Sequence, residues 1–199
     1  MANYVSMVQE LYVAYFSRPA DPKGLAFWTD NLENKVVTYD QIAASFAETA
    51  EYKTTYFEVD KTVLVNEIYD NLFGRPAEQV GLDFWINALE SGAMTIDNMV
   101  TTVAQGAQGA DQFAFNAKVG VAVAFTARVN TPQEIAAYDG ARANMIAINY
   151  LAGVTNMITG DLASDPGSID LAIDRMSATP SAFDPIALVG VAEPVYPVA

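Results

Sequence analysis

Residues 11–32 read LYVAYFSRPADPKGLAFWTDNL, and residues 68–89 read IYDNLFGRPAEQVGLDFWINAL. The second stretch repeats the first 57 positions later. Tyr12 meets Tyr69, Phe16 meets Phe73, and Arg18-Pro19-Ala20 meets Arg75-Pro76-Ala77. Gly24-Leu25 meets Gly81-Leu82, Phe27-Trp28 meets Phe84-Trp85, and Leu32 meets Leu89. The match extends outward to Val8/Val65, Glu10/Glu67, Thr38/Thr95 and Asp40/Asp97, and both tryptophans of the chain hold the same position. A period of this length marks a tandem supersecondary unit that buries its apolar face against its neighbour.

Each unit reads as three helices. Val8, Leu11, Tyr12, Tyr15 and Phe16 fall on one helical stripe, as do Val65, Ile68, Tyr69, Leu72 and Phe73. Pro19 and Pro76 are expected to end that first helix, because the residue before a proline is pushed out of the α region. Gly24 and Gly81 are expected inside the turn that follows, where positive φ or close backbone approach suits glycine. Leu25, Trp28 and Leu32, with Leu82, Trp85 and Leu89, form the face of the second helix. Thr38 or Asp40, and Thr95 or Asp97, are N-caps for a short third helix. The aromatic positions read as core, with a sugar-stacking tryptophan as the alternative. Arg18 and Arg75 read as helix C-terminal cations, with Asp83 as a carboxylate neighbour, or as ligands for a sugar or carboxylate.

Beyond the repeat, residues 111–129 predict a longer helix covering the open side of the second unit. Thr131-Pro132-Gln133-Glu134 is a capping box with proline at the first helical position. The helix it starts is expected to run to about Leu151, with Ile135, Tyr138, Ala141, Met145, Ile148 and Leu151 along one stripe. A short helix is expected near 153–160. Asp165-Pro166-Gly167 reads as a turn, after which Ser168 opens a helix through Met176. From about Thr179, four prolines in an apolar stretch forbid a regular helix; the tail reads as a linker, a swapped arm or the start of a further region. The expected architecture is therefore all-α: units at about 4–57 and 61–110, a companion helical module at 111–178, and an irregular Pro-rich tail at 179–199.

Composition narrows the function. With no Cys and no His, thiol nucleophiles, disulfides, the usual zinc sites and every Ser-His-Asp arrangement are excluded. A net charge of −14 with no basic cluster makes nucleic acid a poor partner. No apolar stretch reaches the length of a membrane-spanning helix, and the first residues lack the pattern of a secretory signal peptide. Asp161, Asp165, Asp170 and Asp174 cluster in sequence without an EF-hand or nonapeptide Ca²⁺ pattern, leaving a Ca²⁺ site or a solvated acidic face as the two readings. No phosphate-binding glycine loop and no nucleophile elbow occurs, so no enzyme chemistry is expected.

The string Y-x3-F-x-R-P-x4-G-L-x-F-W, carried by Tyr12 to Trp28 and Tyr69 to Trp85, resembles a domain-of-unknown-function family repeated in bacterial surface-layer, secreted RTX-type and exopolysaccharide-associated proteins. In arrangement the chain is similar to the helical amino-terminal anchoring domain of Caulobacter-type surface-layer proteins. That resemblance implies a non-catalytic extracellular module that anchors a surface-layer or secreted protein to lipopolysaccharide or exopolysaccharide. It also implies export by a signal-peptide-independent, type I route. The alternative is a structural protein that self-associates into a lattice or filament. Because loops on a rigid scaffold carry function, the glycan-binding candidates are Arg18, Asp21 and Lys23 in one inter-helix loop and Arg75, Glu78 and Gln79 in the other.

Overall fold

A computed structural model describes residues 3–56 and 59–178. The expected Pro-rich tail at 179–199 lies outside them. Among the described residues the chain is all helix, with no strand. The first unit comprises α1 (Tyr4–Phe16), α2 (Pro22–Glu33) and α3 (Tyr39–Ala47), followed by a fourth, short helix α4 (Ala50–Tyr56) beyond the three expected. The second unit repeats them as α5 (Lys61–Phe73), α6 (Gln79–Glu90) and α7 (Ile96–Gln105). Then come α8 (Ala110–Arg128), α9 (Pro132–Ala137), α10 (Gly140–Ala152), α11 (Met157–Ala163) and α12 (Pro166–Ser177).

The first helix of each unit stops earlier than the prolines require. At the end of α1, Ser17 takes the left-handed conformation (φ 55) and its N–H bonds the Val13 carbonyl; at the end of α5, Gly74 does the same (φ 70) onto Asp70. A left-handed cap is easy for glycine and disfavoured by about 1–2 kcal/mol for serine. Gly24 and Gly81 are not in the turn but third in α2 and α6. Close approach is the reason at Gly24: a Cβ there would lie 2.2 Å from Tyr12 Oη. Asp21 caps α2 by accepting from Gly24 N at 2.8 Å, and Thr38 forms a capping box with Gln41 at α3.

The expected continuous helix from Pro132 to Leu151 is broken. Its capping box of Thr131 and Glu134 is in place, but α9 ends at Ala137, and Gly140 (φ 82) starts α10 on a new axis. Tyr138 turns inward at the break, almost fully buried, and its hydroxyl donates to the Pro19 carbonyl. The break rotates the apolar face. Ala143, Ile146, Ala147 and Leu151 point into the core of α10, whereas Ala141 and Met145, placed on the stripe of an unbroken helix, are exposed. Asp165 and Pro166 do not form a turn; Asp165 caps α12 through Ser168 N, and Pro166 is its first residue.

Two clusters make the core. The larger joins both units with one end of α8, through Leu11, Ile42, Leu64, Ile68, Leu72 and Met99 among its most buried members. Each such side chain contributes about 1.5–3 kcal/mol on burial. The smaller gathers Phe125 of α8 and Val129 just beyond its end with Tyr138, Ile146, Ile169 and Ile173. Helix α8 is buried on several faces and packs against α1, α5 and α11 rather than on the second unit alone.

Candidate functional site

The turn from α1 to α2 is held by its own side chains before any ligand is considered. Gln9, fully buried on α1, accepts the Ala20 N–H through Oε1 (2.9 Å) and donates through Nε2 to Thr126 Oγ1 (2.8 Å); Thr126 in turn donates to the Ala20 carbonyl. Both backbone groups of Ala20 are thereby satisfied inside the protein. The second unit keeps half of this device: Asn66 Oδ1 accepts the Ala77 N–H at 3.0 Å.

Arg18, only 6% exposed, projects from the same turn into a box of rings, its Cζ 5.3, 5.4 and 5.9 Å from the centroids of Tyr12, Phe16 and Tyr138. Its Nε and Nη2 donate to the two carboxylate oxygens of Glu51 on α4, at 2.8 and 2.9 Å, and its Nη1 donates to the Pro19 carbonyl. Burial works to lower the Arg18 pKa, but the Glu51 bond and Tyr138 overcome it and hold the guanidinium above its ordinary value. Burial also pushes the Tyr12 phenol up to about 12, with Asp21 adding to the shift. Arg75 repeats the arrangement with a different helix: Nε and Nη2 donate to Asp111 on α8 at 2.8 and 2.7 Å, and Cζ stands 5.6 Å from the Tyr69 ring. Asp83, the expected partner, instead accepts from Gln79 Nε2.

In front of the Arg18 turn lies an open cleft of about 680 Å³, lined by Arg18, Asp21, Lys23, Glu51 and the break between α9 and α10 (Ile135, Ala136, Tyr138, Asp139, Gly140, Ala141), with Asn144 behind. The structure therefore brings the three candidates of the first loop together. At its mouth Lys23 is exposed and has no ion pair among the described residues, and Asp139 sits at the N-cap of α10 without making a cap bond. Asn144 donates to Glu51 Oε1 at 3.3 Å. Ile135, Ala136 and Ala141 add apolar wall. Such a mixture suits a polar ligand with some apolar surface. The candidates of the second loop are placed differently: Arg75 is held by Asp111, Glu78 is exposed at the N-cap of α6 without a side-chain cap bond, and Gln79 is engaged by Asp83.

Glu51, Tyr138, Asp139 and Asn144 were outside the sequence-based site. Asp139-Gly140 is a turn dipeptide, and that signal alone could have broken the predicted helix. Glu51 carried none, because its counterpart Asp111 stands 60 positions on while the arginines stand 57 apart.

The family model described as Domain of unknown function (DUF4214) matches residues 3–56 and again 43–113. The chain belongs to the DUF4214 family. Its two matches share α4, the helix that supplies Glu51 to the first arginine, and the second reaches just far enough to include Asp111. No curated protein and no solved structure matches this DUF4214 chain. Among the described residues no group of three or more acidic side chains is placed to hold a metal ion. Of the acidic cluster, Asp165 caps α12 and Asp170 is paired with Arg128.

Proposed function

We propose that this DUF4214 protein is a non-catalytic module that anchors a bacterial surface-layer or secreted protein to cell-surface glycan, lipopolysaccharide or exopolysaccharide. The observation that carries the reading is the cleft of about 680 Å³ in front of the Arg18 turn, with Asp21, Lys23 and Asp139 offering donors and acceptors and Asn144 behind them. The resemblance of the repeat to surface-layer and exopolysaccharide-associated proteins supports the same reading. So does the bonding of the carboxylates. Glu51 is held by both arms of Arg18 and Asp21 caps α2. Groups fixed in this way position a loop; a glycosidase needs a pair able to exchange a proton and attack across the scissile bond.

The test is a titration of the purified protein with polysaccharide and lipopolysaccharide from the surface of its source organism, with and without Ca²⁺. Saturable binding without product, weakened by Lys23→Ala and Asp139→Ala, is the expected outcome. Absence of binding in both conditions overturns the reading.

A second reading, self-assembly on the cell surface, is favoured by one feature. Met157, Ile158 and Leu162 of α11 and Leu171 of α12 are all more than half exposed, an apolar set on an otherwise strongly acidic chain. Sedimentation across concentration distinguishes it: persistent monomers with and without Ca²⁺ count against it, and a dimer or polymer abolished by Leu162→Glu supports it.

A further inference from the structure

Phe27 and Phe84 hold the same position in the two units and both stand in solvent, 58% and 61% exposed. The tryptophans beside them do not. Trp28 and Trp85 pack against the core, Trp85 Nε1 donates to Tyr69 Oη at 2.9 Å, and Trp28 interacts with the Tyr12 hydroxyl. Each phenylalanine meets the edge of its tryptophan, at 4.8 Å and 78° in the first unit and 4.9 Å and 77° in the second. One exposed apolar side chain needs no explanation. Two at equivalent positions, oriented alike by a tethered indole, present the same flat apolar face twice. A phenyl ring has only two rotatable bonds to immobilise, so little freedom is lost when something stacks on it.

Position connects the first of these rings to the cleft. Phe27 follows Lys23 by four residues on α2, so the two share a helix face. A helical side chain leans toward the N-terminus and covers the turn before its own Cα. By that lean Phe27 is directed toward the turn that carries Lys23, outside the lining of the cleft, at which Lys23, Asp21 and Asp139 stand. An apolar plate beside a rim of hydroxyl-bonding groups matches the two sides of a sugar ring, C–H on its face and O–H on its edge. We infer that Phe27 is the stacking platform of the glycan site and Phe84 a second platform one unit along, so that the ligand is a polysaccharide chain engaged at two of its residues. This rests on the glycan reading of the cleft. The second platform is poorer in polar neighbours: the position of Lys23 is taken by Val80, and Asp83 is engaged by Gln79. Phe27 therefore contributes more than Phe84. Two linked contacts raise the affinity for a long chain above that for a short one.

The full-length protein is titrated with surface polysaccharide of the source organism and with short oligosaccharides cleaved from it, by calorimetry and by tryptophan fluorescence. Both tryptophans abut the proposed platforms, so emission should change on saturation. Phe27→Ala is expected to raise the Kd for polysaccharide about tenfold, equivalent to about 1.4 kcal/mol, and Phe84→Ala by less. The double variant should bind polysaccharide no better than the oligosaccharides, and Phe27→Tyr should retain binding. Because both rings are exposed, thermal midpoints should stay within a few degrees of the parent and report intact folding. Binding that falls with Lys23→Ala and Asp139→Ala but is unchanged by both phenylalanine variants overturns the platforms and leaves the glycan reading standing. Absence of binding by the parent protein overturns both. Self-association that disappears in the phenylalanine variants assigns the rings to contacts between copies and also overturns the proposal.

Discussion

Replacing Lys118 with methionine is expected to stabilise the protein at neutral pH by about 2 kcal/mol. Lys118 lies on α8, is 2% exposed, and donates from Nζ to the Leu151 carbonyl at 3.2 Å near the end of α10. Burial pushes its pKa from 10.5 down to about 8, with Asp70 opposing the shift. At 1.36 kcal/mol per pH unit, keeping the ammonium in the fold below pH 8 costs about 3 kcal/mol. Methionine fills similar volume without the charge but leaves the Leu151 carbonyl without that donor, a loss of about 1 kcal/mol. The sign of the pH dependence follows from linkage. Between the folded pKa near 8 and the unfolded pKa near 10.5 the unfolded chain binds more protons, so the parent gains stability as pH rises through that window. The variant lacks this gain. Its advantage should shrink by about 2 kcal/mol between pH 7 and pH 9.5. Comparing the two proteins at each pH cancels the tyrosines, which titrate nearby in both. Urea denaturation measures the difference directly, and at pH 7 the thermal midpoint should rise by about 4–8 °C. A variant less stable than the parent at pH 7, or a gap that does not change with pH, would refute the reasoning.

Gly24→Ala should destabilise by about 1–3 kcal/mol, since its Cβ would press on the buried Tyr12 hydroxyl at 2.2 Å. The equivalent Gly81→Ala meets only ordinary contact with Tyr69 at 3.5 Å, and Gly120→Ala, mid-helix in α8 with nothing near, should stabilise by about 0.5–1 kcal/mol; thermal melts of the three test the contrast. Arg18→Met should lose about 3 kcal/mol by leaving Glu51 without its buried cation, while Arg75→Met, whose side chain is 37% exposed, should lose about 1 kcal/mol or less in denaturant titrations. Burial raises the Glu10 pKa, so the folded chain holds its proton more tightly, and stability falls as pH rises through the window above the ordinary value. Glu10→Gln should therefore be more stable than the parent at pH 7 but not at pH 4, as read by paired denaturation curves.

The helical repeat was legible because its signals are local. The stripe from Val8 to Phe16, the threonine caps and the Thr131 capping box each act within a turn of helix, and each is in the structure. The stripe drawn from Ile135 to Leu151 holds at Tyr138 and Leu151, which are buried, but not at Ala141 and Met145, which the break at Gly140 leaves exposed. Ser17 carried no signal at all, since serine rarely takes a left-handed cap. The spacing of Leu25, Trp28 and Leu32 puts the tryptophan rather than the adjacent Phe27 on the inner face of the second helix, and the structure packs Trp28 and Trp85 against the core while Phe27 and Phe84 stay in solvent. The loop candidates Arg18, Asp21 and Lys23 do meet at one cleft, but its far wall comes from residues more than 100 positions away, joined by contacts that no local pattern encodes.

The two arginine clasps also define what can be cut and moved. Arg18 is closed by the first turn of α4 and Arg75 by the first turn of α8, so each helix trio is locked by the helix that follows it. A piece ending between α7 and α8 would carry Arg75 away from its carboxylate, whereas one extended through Arg128 keeps both clasps whole. The portable module is therefore a helix trio with the opening turn of its successor attached. Duplicating such a segment brings each new copy with its own lock, and an array can lengthen without redesigning its joints.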